Sequence, residues 1–429
     1  MLVWSQALLM KLFGMGELAV RLPSALSALV ICLSLFFMIR HHLKSEWPAI
    51  IAVLTFVSAN AIVELHGIRY GDTDTLLSMF IFLMLMNYYR FLASGKIRYF
   101  YYTFLFFSAA VLTKSAVVFM FIPGLMVYTF WKGEFSKTIR SKHFYFAVLV
   151  SVSIIGAYYF AREIKLPGYL SSVWENELFG RFFAVKEGHK ENFEYYLKGF
   201  IHGRYFFWWL LPFSLLTFFS NDSKLKNITL FLVITTVGYL LIISSSKTKL
   251  GWYDIPLYPL FATLNGITLY WLVGVILKFA PVQKPFITNI VYLAIILGLF
   301  YLPITRNISI TFNPKEKPWD DDFYSISYYL RDKLSNNPQL QNCYVLKPED
   351  QGLSAGIPFH HSHIAFYVNS LKKKGSIIQL IPKECSNVGN IVVTHSAPCK
   401  HYLEQNFVLD TIDSYKNVTV YFLIDRKIH

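Results

Sequence analysis

The stretch SSSKTKLGWYDIPLYPLF, from Ser244 to Phe261, stands between two apolar runs, and its reading decides the fold. Residues 227–245 and 253–272 are each long and apolar enough to cross a bilayer, which takes about 20 residues. The short break and the start of the second run hold two lysines, a tyrosine and an aspartate, more chemistry than a connector needs.

Working outward, the same pattern of apolar run and short polar break recurs over the first 300 or so positions. Ten spans are read, at 18–39, 47–67, 74–93, 99–113, 115–131, 143–161, 204–220, 227–245, 253–272 and 286–304. The chain has 429 residues, 55% of them hydrophobic, 18% aromatic and only 15% charged, with a mean hydropathy of +0.42. That composition excludes one ordinary soluble domain and points to a polytopic α-helical membrane protein.

A net charge of +14 could suggest a nucleic-acid partner, but its distribution argues against one. Arg40 and Lys44 follow the first span, Arg90, Lys96 and Arg98 the third, and Lys132, Lys137, Arg140 and Lys142 the fifth. Lys224 and Lys226 follow the seventh, and Lys278 and Lys284 the ninth. Every second loop is basic, and basic loops stay on the cytoplasmic side. The intervening loops, at 68–73, 162–203 and 244–252, then face outward, as does everything past the last span. This places a multi-pass protein in the cell (inner) membrane, with membrane lipids around it and no nucleic acid. The N-terminus carries no basic region leading into a short apolar core, so no cleavable signal peptide is expected.

Residues 1–305 are read as the membrane domain and 306–429 as a small α/β domain outside the membrane, on the periplasmic side. One helical pattern near 324–334 is followed by short β-rich runs: CYVL, HIAFYV, SIIQLI, NIVVTH and VTVYFLI. Cys343, Cys385 and Cys399 fall in this domain, while Cys32 lies in the first span. An oxidising compartment permits one disulfide, with Cys385 and Cys399 the nearest pair in sequence; buried free thiols fit equally well.

With sidedness assigned, Lys247 and Lys249 lie in an outer loop, where topology does not need them. Snorkelling anchors are the bland account; an anion site, with lysine as a compact charge suited to phosphate, is the sharper one. In GIRYGDTDTLLSMF, Asp72 and Asp74 open the third span. A helix N-cap accounts for one of the two carboxylates but not for both. Lys114 sits in a tight outer turn in LTKSAVVFMFIPGL, weak evidence alone. In the long loop WENELFGRFFAVKEGHKENFEYYLKGF, Asn176, Arg181, His189 and Tyr196 are candidates, and its aromatic residues suit a membrane surface.

Taken together these segments resemble the membrane-embedded, lipid-carrier-dependent glycosyltransferases of the GT-C type, specifically the protein O-mannosyltransferase and lipid A aminoarabinose transferase superfamily. LFGMGELAVRLPSALSAL is similar to the family's run entering an early span, and IRYGDTDTLL to its arginine-to-aspartate stretch. LTKSAVVFMFIPGL is similar to the leucine, threonine, lysine turn, and NELFGRFF with GHKENFEYYL to the loop that contacts carrier phosphate. SKTKLGWYDIPLYPLFA is similar to the late lysine, leucine, tyrosine, proline motif, onto Lys249, Tyr253 and Pro256. The resemblance implies Asp74 as the catalytic carboxylate with Asp72 beside it, and Arg181, Lys247, Lys249 and Lys114 on donor phosphate. Asn176, Tyr253, His189 and Tyr196 then position substrate. It further implies a polyprenyl-phosphate-linked sugar as donor, a glycolipid such as lipid A or a protein as acceptor, and inversion at the sugar. No cofactor is required; no metal ligands are assigned and a divalent metal is left open.

In the family an additional span and an acidic first outer loop with a lysine-proline step precede the segment that resembles MLVWSQALLMKLFG. Met1 is therefore expected to be an internal start, with that segment at the outer interface and the missing part encoded upstream in frame. The chain alone is then expected to transfer sugar poorly or not at all. Two other functions are carried: a lipid-linked oligosaccharide ligase or polymerase on the same fold, and a non-enzymatic transporter or flippase. Transporters place ionisable residues at mid-span and often show inverted repeats. Neither is evident here.

Overall fold

The computed structural model describes residues 1–64, 66–175, 190–278, 285–313, 318–337, 340, 342–348 and 362–427. They form two compact units, one of Met1–Leu12 with Glu17–Asn313 and one of Phe13–Gly16 with Pro314–His429. The boundary lies eight residues beyond the expected 305, because the last long helix, Pro285–Phe312, runs through without a break.

Among the described residues of the first unit, six helices are long and apolar enough to cross a membrane: Glu17–Leu43, Thr73–Ser94, Lys142–Lys165, Ser223–Ser245, Gly251–Lys278 and Phe286–Phe312. Four shorter apolar helices accompany them, at Leu2–Phe13, Trp47–Val57, Val117–Trp131 and Trp208–Phe219. The protein is thus a multi-pass helical membrane protein, with fewer full-length spans among the described residues than the ten read from sequence. Three of the expected spans are broken for local reasons. The run 47–67 is helical only to Val57; Ser58 turns its hydroxyl back onto the Leu54 carbonyl at 2.6 Å, and a 3₁₀ turn at Asn60–Ile62 follows. The run 115–131 divides into Ser115–Phe119 and Ile122–Trp131, with Pro123 in the first turn of the second helix, where its missing N–H costs nothing. The run 204–220 is a chain of 3₁₀ turns entered past Gly203 at φ +103°, with Pro212 opening the longer one.

Burial sorts the long helices into central and peripheral. Two-thirds of the apolar window of Thr73–Ser94 is buried, against 11% for Lys142–Lys165. Leu149 and Phe160 of the latter point outward, as a lipid-facing helix requires. The Trp47–Val57 and Tyr258–Lys278 helices pack closest at Gly266, where a Cβ would stand 2.6 Å from the Pro48 carbonyl oxygen and 2.7 Å from Ala52 Cβ. Small residues at such a contact let two backbones approach. At one end of this unit Arg40, His42, Lys44, Arg90 and Lys224, residues of three different basic loops and their flanks, line one cleft of about 710 Å³.

The second unit is a five-stranded sheet with order β2-β1-β3-β5-β4. β1 (Asn342–Leu346) lies parallel to β2 (Ile377–Ile381) and β3 (Ile391–Thr394), while β5 (Val418–Arg426) is antiparallel to β3 and β4 (Phe407–Tyr415). This is the expected α/β domain with one exchange. HIAFYV belongs to a helix, Ser362–Lys373, whose Ile364, Val368 and Leu371 are buried at i, i+4 and i+7. The sixth run expected from no pattern, Phe407–Tyr415, supplies the edge strand instead. All four cysteines are free thiols, and buried Cys399 donates to the Lys347 carbonyl.

Candidate functional site

The polar residues that break the spans converge at one set of helix ends. Asp72 caps the Thr73–Ser94 helix, its Oδ1 accepting from the Thr73 amide at 2.5 Å and from the Thr73 hydroxyl at 3.1 Å. The other oxygen, Oδ2, lies against His66 Nδ1. Burial would raise the Asp72 carboxyl, but the His66 hydrogen bond and charge, the Thr73 amide and Lys114 outweigh it and hold it at about 2. The cap was anticipated for one of the two carboxylates, and Asp72 is the one.

Asp74, in the first turn of the same helix, is 2% exposed. Lys114 Nζ donates to its Oδ1 at 2.8 Å across 40 positions of sequence. Its Oδ2 is buried, reached by no hydrogen-bond donor among the described residues, and 3.8 Å from His66 Nδ1. The turn that seemed weak evidence by itself therefore supplies the counter-ion of the buried carboxylate.

The break between the Ser223–Ser245 and Tyr258–Lys278 helices contributes three consecutive residues, each with a different partner. The Trp252 ring stacks on His66 at 3.7 Å between centroids, and Lys114 Nζ stands 5.4 Å from the centroid of the Tyr253 ring. Asp254 is wholly buried and takes the Arg204 guanidinium bidentately, Nε to Oδ2 at 2.9 Å and Nη2 to Oδ1 at 2.8 Å. Tyr258 donates to Asp254 Oδ2 at 2.8 Å, and Glu64 Oε2 lies 3.5 Å from Arg204 Nη1. The 3₁₀ turn Gly251–Leu257 makes this fan possible, since three residues per turn send neighbouring side chains in three directions.

Lys249 is 5% exposed and donates to the carbonyls of Ser246 at 2.6 Å and Glu191 at 3.1 Å. Burial lowers its ammonium below the usual lysine range, opposed by the Glu191 charge. Lys247 is exposed on the same turn, and Lys190 pairs with Thr248 in a single antiparallel bridge that ties the long loop to this one. Tyr196 is buried and donates to the Leu250 carbonyl at 3.1 Å, so it supports the loop from behind. Asn176, Arg181 and His189 lie outside the described residues.

Thus Asp72, Asp74, Lys114 and Tyr253 come together, and Lys249 and Tyr196 build the adjoining loop. Sequence reasoning missed His66, Trp252, Arg204 and Asp254. Asp254 stood in the quoted stretch, and its partner could be found only through the fold. His66 carried one local signal, a polar residue six positions before Asp72 in a run otherwise taken as a span.

Residues 1–159 match the family model described as dolichyl-phosphate-mannose-protein mannosyltransferase. An uncharacterized protein of Aquifex aeolicus is 24% identical over 269 residues, 62% of this chain and 52% of its own length. An undecaprenyl phosphate-alpha-4-amino-4-deoxy-L-arabinose arabinosyl transferase of Aeromonas salmonicida is 25% identical over 269 residues, 61% of this chain and 48% of its own. The chain spans about half the length of these curated relatives. Among solved structures, ArnT from Cupriavidus metallidurans bound to undecaprenyl phosphate superposes with a TM-score of 0.67 at 14% identity, over 98% of this chain and 86% of that one. The apo state gives 0.64 at the same identity and coverage. The fold is shared at nearly full length.

Proposed function

We propose that this chain, a member of the GT-C superfamily of lipid-carrier-dependent glycosyltransferases, transfers a sugar from a polyprenyl-phosphate donor to a hydroxyl or phosphate acceptor at the outer face of the membrane. The acceptor is a glycolipid such as lipid A, or a protein. The observation that carries the reading is the buried Asp74–Lys114 pair, whose carboxylate keeps one oxygen that no donor reaches among the described residues. A carboxylate held this way can orient an acceptor hydroxyl and take its proton.

In the reaction the acceptor oxygen attacks the anomeric carbon, the bond from that carbon to the phosphate oxygen breaks, and the polyprenyl phosphate leaves with the electron pair. Direct displacement inverts the anomeric centre. Lys114 and the Lys249 loop supply positive charge where the leaving phosphate gains it, which favours the transition state over the ground state. Arg181, from the long 162–203 loop, is a further phosphate ligand in this scheme. The cleft gathering Arg40, Lys44, Arg90 and Lys224 supports the sidedness, since basic residues mark the cytoplasmic end.

The test is mass spectrometry of envelope glycolipids and glycoproteins from cells with and without the gene. A mass difference of one sugar residue on one acceptor class is expected. A difference of a whole oligosaccharide would replace transfer of a single sugar by ligation, and an accumulated lipid-linked sugar with no acceptor change would favour a flippase.

A further inference from the structure

We propose that the basic cleft toward the far end of the Thr73–Ser94 helix binds the phosphodiester headgroup of an anionic phospholipid from the adjoining leaflet. Arg90, in its lining, is sixteen positions along that helix from Asp74, about 24 Å at 1.5 Å per residue, so the cleft is separate from the transfer site. Its volume of about 710 Å³ is that of a small-molecule site.

Basic loops by themselves report topology, which is the bland account of these residues. It does not explain their convergence. Arg40 lies in the last turn of the Glu17–Leu43 helix and Lys44 directly follows it, Arg90 stands near the end of Thr73–Ser94, and Lys224 lies in the first turn of Ser223–Ser245. Three helices thus bring four cations to one cavity, and the chain neutralises them incompletely. Arg40 pairs with Glu46 at 2.9 Å, and Asp222 caps the helix beside Lys224. Lys44, Arg90 and Lys224 are in no ion pair among the described residues, and four cations against these two carboxylates leave +2. Two of the cations are also held in place. Arg90 Nη2 donates to the Tyr99 hydroxyl at 2.5 Å, with the guanidinium carbon 4.1 Å from the ring centroid, which commits one of its five N–H groups. Lys44 stands at φ +52°, the left-handed conformation that glycine usually takes after a helix, so a lysine there carries backbone strain.

The apolar part of the lining selects a lipid over a soluble phosphate. Phe82, Met86 and Ile228 are buried in the wall, while Phe37 is 58% exposed. Leu33, Val30 and Leu26, exposed on successive turns of the same helix face, continue the apolar surface from Phe37 toward the middle of the span. A headgroup phosphate among the cations sets its acyl chains along this stripe, a contact that inorganic phosphate cannot make.

The test needs no sugar donor. The full chain, delipidated in detergent, is titrated separately with phosphatidylglycerol, phosphatidylcholine and inorganic phosphate, and bound species are counted by native mass spectrometry. One phosphatidylglycerol per chain should be kept at concentrations where the other two are lost. Lys44→Gln, Arg90→Gln and Lys224→Gln should weaken its binding about fivefold each and about a hundredfold together. The same loss of charge at Lys137, Arg140 and Lys142, in a different basic loop, should leave it unchanged. Because the triple variant could fail to fold, the unmodified chain is also labelled with phosphatidylglycerol carrying a photoreactive acyl chain. Label is expected on the turns around Phe37 and Met86, and a phosphatidylcholine analogue should leave them unlabelled. Equal retention of the two lipids, inorganic phosphate binding as tightly as phosphatidylglycerol, unchanged affinity in the folded cleft variants, or label absent from those turns overturns the proposal.

Discussion

Asp254 and Arg204, 50 positions apart, are joined by two hydrogen bonds of 2.8 and 2.9 Å, and the carboxylate is completely buried. The pair fixes the Gly251–Leu257 turn, because Arg204 Nη2 also donates to the Gly251 carbonyl at 2.6 Å. Removing one partner of a buried ion pair typically costs about 3–5 kcal/mol, since the other charge is left uncompensated. Asp254→Ala should therefore lower the melting temperature in detergent sharply, while Arg204→Met with Asp254→Leu should recover part of the loss. Single and double variants that melt alike would show that the pair does not hold the turn.

Asp74→Asn keeps the shape of the side chain while removing its charge. Transfer should fall to background with the melting temperature and donor binding largely kept. Full activity would exclude Asp74 as the proton acceptor. Lys114→Met is the complementary change: it leaves the buried carboxylate without its ammonium, so both stability and transfer should drop.

Lys249, Arg181 and Lys247 are proposed donor-phosphate ligands, and their positions predict different sizes of effect. A charge-assisted contact is worth about 1.5–3 kcal/mol. Lys249→Ala and Arg181→Ala should each weaken polyprenyl-phosphate binding by roughly one to two decades. Exposed Lys247 should matter less, because solvent screens its charge. Equal, unchanged affinity for all three would return them to the role of interfacial anchors.

Sidedness is tested by reporter fusions. Phosphatase activity is expected for fusions after about residue 320, near the start of the second unit, and none for a fusion at Lys137, which lies in a basic loop. The reverse pattern would place the Asp74 cluster on the cytoplasmic face and remove the basis for an outer-face reaction.

At Gly266 the packing itself is open to test. A valine there would drive its Cβ into the Pro48 carbonyl and Ala52. Overpacking of this kind costs about 1–3 kcal/mol. Gly266→Val should lower the melting temperature, with Gly266→Ala intermediate.

The sequence alone determined the membrane class, since long apolar runs and alternating basic loops follow from composition and spacing, which any bilayer-spanning chain must satisfy. It also marked the chemistry: Asp72, Asp74, Lys114 and the Lys249 loop are polar where polarity is costly. The α/β domain was legible because strands such as CYVL and VTVYFLI carry short β-rich runs, whereas HIAFYV did not declare itself. Its six residues suit either period, and only the core contacts of Ile364, Val368 and Leu371 settled it as helix. What the tertiary structure decided was partnership. Lys114 meets Asp74, Arg204 meets Asp254 and His66 meets Trp252 because helices far apart in sequence end at the same place. Nothing in local pattern encodes which buried charge will neutralise which. That choice is made by packing, where an unpaired charge costs more than any local preference can offset.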